Sequence, residues 1–212
     1  MRKITKTAEP SSLTEWKKAY PAKLRYTSLS DDVRRSVRKH ALQEQYYLCA
    51  YCCSLINSHD GNDCHNEHME AQKLNPRREL DFSNIVASCN TRNQCGDSHG
   101  SQPLALLPVM DECETELQFM ISGRVRGLSQ RAIDAIKTLN LGDSESSNKG
   151  LVEKRKHLVR AIFFKVSIDP GEEIEDEEIL EMLLEEIQAP QCGRLDSFAP
   201  VAANIIKNWI KN

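Results

Sequence analysis

Long apolar runs are missing from this 212-residue chain. None approaches the roughly 18 residues that a membrane-crossing helix needs. Arg2, Lys3 and Lys6 open the sequence, but no apolar stretch follows them, so no secretory signal is expected and the expected location is cytoplasmic. Internal repeats and long low-complexity tracts are also absent, which sets aside solenoid and fibrous architectures. A large net charge is lacking too: 28 Lys and Arg against 31 Asp and Glu leave −3. What remains is an ordinary globular composition, 40% hydrophobic and 28% charged. The length suits one domain, or a small domain with a sizeable extension.

The small net charge conceals an uneven distribution. Residues 1–40 carry eleven basic side chains against four acidic ones, whereas Asp169 to Gln188 carries ten acids and no base. A basic arm and helix can meet phosphate. The acidic segment reads as the solvated face of a helix.

Pro10 and Pro21 break residues 1–30 into an extended arm with a short helical piece near Leu13–Tyr20. Ser30-Asp31-Asp32 with Val33, Val37 and Leu42 predicts a capped helix running into Tyr47, with Arg34, Arg35, Arg38 and Lys39 outward. Leu104–Met110 and Leu117–Val125 read as extended segments. Ser129 caps a further helix that stops near Gly142, and 143–149 is a polar linker. Three apolar stripes follow. The first comprises Leu151, Val152, Leu158, Val159, Ile162, Phe163 and Val166. The second comprises Leu180, Leu183, Leu184 and Ile187, and the third runs from Phe198 to Ile210.

Six of the eight cysteines fall between positions 49 and 95, interleaved with histidines. In a reducing compartment such crowding points to metal ligation. Cys113 and Cys192 stand apart and read as buried thiols. Cys49-Ala-Tyr-Cys52 has the spacing with which two thiolates grip one zinc ion from a tight turn. No βαβ pattern surrounds it, which argues against a thioredoxin-like redox pair. Cys89 and Cys95 form a second pair, with Cys64 as the alternative fourth ligand; Cys53 adjoins Cys52 too closely to share its ion. His59 reads as a turn residue in Ser-His-Asp-Gly-Asn-Asp. His65 lies three residues before His68, hence on the opposite strand face, and is expected outside the site of His68, with contact to the zinc side as the alternative.

Cys49/Cys52, Glu67-His68, Asn84 and Cys89/Cys95 together resemble the HNH, or ββα-metal, nuclease family. The chain is longer than that family's usual pattern by three residues between Cys89 and Cys95. The resemblance implies an α+β fold: a small zinc-stabilised ββα-metal core embedded in a mainly α-helical domain. It implies an arm and helix over 1–47, a nuclease core over 48–102, and extended segments and helices over 103–212. It further implies endonucleolytic hydrolysis of DNA or RNA, with His68 as general base and Glu67 as ligand of a catalytic Mg²⁺ or Mn²⁺. Asn84 would orient the loop beside His68. Asp97 is the favoured further ion ligand, and His99 shares the ion or contacts phosphate. Asn93 takes that place if Cys95 is not a zinc ligand.

The Met1–Lys6 start, Tyr47 to Cys52, Asn84 to Asn90 with the displaced Cys95, and Leu139-Asn140-Leu141 resemble one branch of the family. That branch is the PtuB nucleases of Septu and retron antiphage systems. The likeness implies a PtuA-like, SMC-type ATPase partner, and in retron versions a reverse transcriptase with its branched DNA–RNA product. Structured RNA such as tRNA is an alternative substrate to phage DNA. The acidic helix is the expected docking element. The competing reading is a zinc-stabilised binding module without catalysis.

Overall fold

The computed structural model describes residues 1–144, 146–165 and 177–210. Among them lie seven α-helices and two separate two-stranded antiparallel sheets, an α+β arrangement. None of the helices is long and apolar enough to cross a membrane.

The N-terminal residues form a strap over the core, where a free basic arm was expected. Met1 and Ile4 are each 3% exposed, and Ile4 N donates to Pro108 O. Lys6 is tied down by Glu44 and by Ile85 O, and its ammonium lies 3.7 Å above the Phe82 ring. The charge pattern misled here because carboxylates further along the chain take up the cations. Helix α1 (Ser11–Ala19) follows Pro10 and buries Leu13 and Trp16.

Helix α2 (Asp31–Glu44) starts where Ser30 Oγ accepts from Val33 N, with Asp31 and Asp32 facing its positive end. It stops short of Tyr47. Tyr46 and Tyr47 both take positive φ, and Tyr47 N returns to Leu42 O at 2.8 Å, which closes the helix end. The buried face of α2, Val33, Val37, Ala41 and Leu42, lies against the first sheet.

That sheet pairs β1 (Cys64–His68) with β2 (Ile85–Cys89), with Glu67 opposite Val86 and His68 opposite Ile85. Every residue of β2 is buried. Gln45 closes its backbone: its amide donates to Ala87 O and accepts from Ala87 N, at 2.9 and 2.7 Å. Helix α3 (Cys95–His99) then lies against β2.

The second sheet is a hairpin of β3 (Leu117–Phe119) and β4 (Val125–Gly127), turning at Gly123 with φ +83°. Leu104–Met110 forms no strand; its Pro108 carbonyl receives the N-terminal strap instead. Helix α4 (Gln130–Thr138) is capped by Ser129 Oγ, and α5 (Lys149–Lys165) starts inside the segment expected as linker. Helices α6 (Glu177–Gln188) and α7 (Ala199–Ile210) pack on each other. Val166 of the first stripe and the first part of the acidic segment lie outside the described residues. Cys113 is buried, but Cys192 is exposed in the turn between α6 and α7.

The leucine stripe of α6 is already occupied. Leu180 and Leu183 are buried, and Leu184 and Ile187 lie partly covered against the core. A partner would meet the opposite, acidic face, where Met182 is 64% exposed. Leu180→Ala should therefore lower the unfolding free energy by about 2–4 kcal/mol. Met182→Ala should change it by no more than ~0.5 kcal/mol. Equal effects in denaturant titrations would contradict this placement.

Candidate functional site

Four sulfurs come together from three pieces of chain. Cys49 and Cys52 lie on the loop after α2, Cys89 ends β2, and Cys95 begins α3. Their Sγ atoms all lie within 4.8 Å of one another, and all four residues are buried. A tetrahedral zinc ion with Zn–S bonds of ~2.3 Å would hold its sulfurs roughly 3.8 Å apart, so the cluster fits a metal ion and is consistent with structural zinc. Cys64 is not part of it, because its thiol turns to Ser58 O. The inserted residues between Cys89 and Cys95 are absorbed by positive φ at Asn93 and Cys95, which swings the last sulfur back.

The protein chemistry around these sulfurs suits negative charge. Cys89 N donates to Cys49 Sγ at 3.4 Å, and Gln94 Nε2 donates to Cys89 Sγ at 3.7 Å. Burial, then the neighbouring sulfurs, push the thiols of Cys49 and Cys95 well above the ordinary cysteine range. A hydrogen bond from Cys49 draws Cys52 and Cys89 down. Four buried thiols can give up their protons together only if a cation takes their place.

Beside this cluster the side chains of β1 divide by strand alternation. His65 and Glu67 share one face, and the Glu67 carboxylate stands between two imidazoles. His65 Nε2 approaches Glu67 Oε2 at 3.2 Å, and His99 Nδ1 approaches Glu67 Oε1 at 2.6 Å. His65 Nδ1 meets Asn90 Oδ1 at 2.8 Å. Burial raises the Glu67 pKa, but hydrogen bonds from His65 and His99 outweigh it and the carboxyl is held ionised below its usual range. Burial likewise opposes charge on His65, but Glu67 and Asn90 prevail and its pKa rises. Gly96 makes the arrangement possible. A Cβ there would lie 2.5 Å from His65 Nε2 and 2.8 Å from Glu67 Oε2. The buried His99 Nε2 and Tyr51 Oη have no hydrogen-bond partner.

His68 faces the other way, with its ring edge-on to Tyr26 at 4.9 Å between centroids. Its Nε2 donates to Glu79 O at 2.9 Å, which leaves Nδ1 as the proton acceptor. Burial pushes its pKa below the ordinary value of 6.5. Glu67 and His68 nevertheless line one cavity of about 260 Å³, together with Tyr26, Lys73 and Ser101. The loop after His68 is fixed by Asn84, whose Oδ1 accepts from Glu70 N at 2.8 Å and whose Nδ2 donates to Glu70 O at 3.0 Å.

Two expectations about this site change. His65, expected outside it, is in direct contact with Glu67, because alternation separates it from His68 and joins it to the residue two along. Asp97, favoured as the ion ligand beside Glu67, accepts instead from Asn93 N at 2.6 Å and closes the turn into α3. His99 takes the position next to Glu67. Asn93 is exposed and holds Asn140 through its carbonyl, and His59 lies in the bend before β1.

Cys52→Ser should remove one equivalent of bound zinc per chain, read by atomic spectroscopy. Chelation of the native protein should cost at least ~3 kcal/mol of stability on the scale of structural zinc sites. For a chain of this size that is a drop in Tm of roughly 6–12 °C. A chelator-treated protein with unchanged Tm would contradict a stabilising ion at the cysteines.

No protein-family model and no curated protein matches this chain, so what the site does has to be read from its own geometry.

Proposed function

We propose that the chain is a metal-dependent endonuclease of the HNH type, hydrolysing phosphodiester bonds of DNA or RNA. The observation that carries this reading is one cavity lined both by an ionised carboxylate, Glu67, and by an imidazole whose Nδ1 can accept a proton, His68. Supporting it is the order β1, β2, α3 around them, closed by the four cysteines. A binding module has no need of a base and a carboxylate in one polar cavity.

The residues divide the work as follows. His68 Nδ1 takes the proton of the attacking water while Glu79 O holds the ring in place. Asn84 keeps the adjoining loop in register. Glu67 and His99 would hold a divalent ion, with His65 at hand on the second Glu67 oxygen. A carboxylate with imidazoles is a mixed donor set that suits Mn²⁺ better than Mg²⁺. The ion, once bound, stabilises charge on the phosphate and the leaving oxygen. Lys73 lies at the cavity, placed for an electrostatic contact with the backbone of either nucleic acid. Restraint by an SMC-type ATPase belongs to the same proposal and rests on the sequence likeness to antiphage nucleases.

Purified protein incubated with plasmid DNA and with total RNA should cleave at least one of them with Mn²⁺ or Mg²⁺ and neither in EDTA. His68→Ala should lower the rate by about 10²–10⁴-fold while the zinc content stays as in the native protein and the chain remains folded at the assay temperature. Cleavage that survives this substitution would remove the assignment.

The pH dependence follows from the buried ring. Because burial holds His68 below 6.5, its neutral form persists into mild acid. The acid limb of the cleavage rate should therefore fall below pH 6.5, and a limb well above that value would exclude His68 as the base.

A further inference from the structure

The cysteine cluster has partners on a helix that supplies none of its sulfurs. Gln94, whose amide donates to Cys89 Sγ, is itself held by α5: Asn148 Nδ2 donates to Gln94 Oε1 at 3.0 Å. The same Asn148 side chain caps α5, with Oδ1 accepting from Leu151 N at 3.2 Å. Its Nδ2 also reaches Asn140 O at 2.7 Å. An unbroken relay thus runs from a cluster sulfur to the first turn of α5.

Two turns into that helix lies Arg155, 0% exposed. Its Nη1 donates to Gly123 O at 2.6 Å and its Nη2 to Leu141 O at 3.1 Å, while Nε is buried without a partner. Among the described residues no carboxylate pairs with it. The Leu139–Leu141 segment serves both sides, since Leu139 O accepts from Cys95 N at 2.9 Å. A buried guanidinium without an anion is costly. The Phe119 ring faces the guanidinium, whose carbon lies 5.0 Å from the ring centroid, and burial lowers the Arg155 pKa to about 10 against the charges of Cys52, Cys53 and Cys95. Four thiolates around one divalent cation leave a net charge of about −2 in a site without solvent.

We propose that Asn148 and Arg155 are outer positioning residues of the cysteine-bound ion. Asn148 sets the Gln94 amide on the Cys89 sulfur, and Arg155 supplies the counter-charge to the tetrathiolate. The ion and α5 then hold each other in place, although α5 contributes no ligand. This rests on reading the four cysteines as a metal centre.

Asn148→Asp separates the two duties of that side chain. An aspartate still accepts from Leu151 N, but it has no amide to give Gln94. Arg155→Met keeps the bulk without the charge, and Arg155→Lys returns the charge. Zinc affinity would be measured on the full chain by competition with a chromophoric chelator. Co²⁺ substitution would report the sulfur-to-metal absorption bands, and melting would be followed with and without metal. Asn148→Asp and Arg155→Met should each weaken zinc binding by about 10-fold or more and shift the Co²⁺ bands. Arg155→Lys should recover part of the loss. The metal-free Tm of Asn148→Asp should fall through the lost bond to Asn140 O, but by less than the zinc-loaded Tm does. Native affinity and unmoved Co²⁺ bands in both variants, with the native protein zinc-loaded, would overturn the inference alone. A native protein that takes up no zinc would overturn the metal centre and the inference together.

Discussion

Four sulfurs from three short pieces of chain have to meet at one point, and the rest of the candidate site hangs from that meeting. The strands β1 and β2 and the helix α3 span five residues each. Elements of that length are not stable alone. An ion held by the cluster would tie the loop after α2 to the end of β2 and the start of α3, a duty that apolar packing performs in a larger motif. Once β2 is fixed, its register with β1 decides where Glu67 points. Once α3 is fixed at Cys95, its last residue carries His99 to that carboxylate.

The two faces of β1 show how little the chain needs to keep two functions apart. Asn66 and His68 turn to Tyr26, where Asn66 Nδ2 donates to the tyrosine hydroxyl at 2.8 Å and His68 lies edge-on to the ring. His65 and Glu67 turn toward α3. His68 and Glu67 are sequence neighbours, yet their environments shift them in opposite chemical directions. Burial keeps the imidazole of His68 neutral, and flanking imidazoles keep the carboxylate of Glu67 charged. Adjacent groups driven apart in this way suit a water-activating base beside a cation ligand.

Much of this could be read from the sequence, for reasons that differ by residue. Cys49 and Cys52 were legible because two-residue spacing has one economical geometry. Cys95 was legible as a member of the cluster despite its odd spacing, but how it reaches the other sulfurs depends on two left-handed residues that no pattern announces. Strand alternation was visible in Cys64–His68 and correctly set His65 apart from His68, but the same rule joins it to Glu67. Asp97 attracted the ion-ligand assignment by its chemistry, while the local turn claimed its carboxylate for Asn93 N. The N-terminal charges looked free because their acceptors, such as Glu44, lie dozens of residues away. Sequence periodicity found the helices of the C-terminal part and read their stripes most simply as core-facing, as the burial of Leu180 and Leu183 bears out, while it left docking open for the α6 stripe.

Gly96 gives the arrangement an unforgiving point. Its bare backbone is where α3 passes the His65–Glu67 pair, with no room for a methyl group on that side. Alanine, the smallest step available, already displaces the ends of both side chains, so its cost falls on the His65–Glu67 contact itself. In a saturation library screened for whatever this site accomplishes, diversity should survive at neighbouring Ser98, whose hydroxyl only ties back to Thr138 O, and narrow toward the smallest residues at 96.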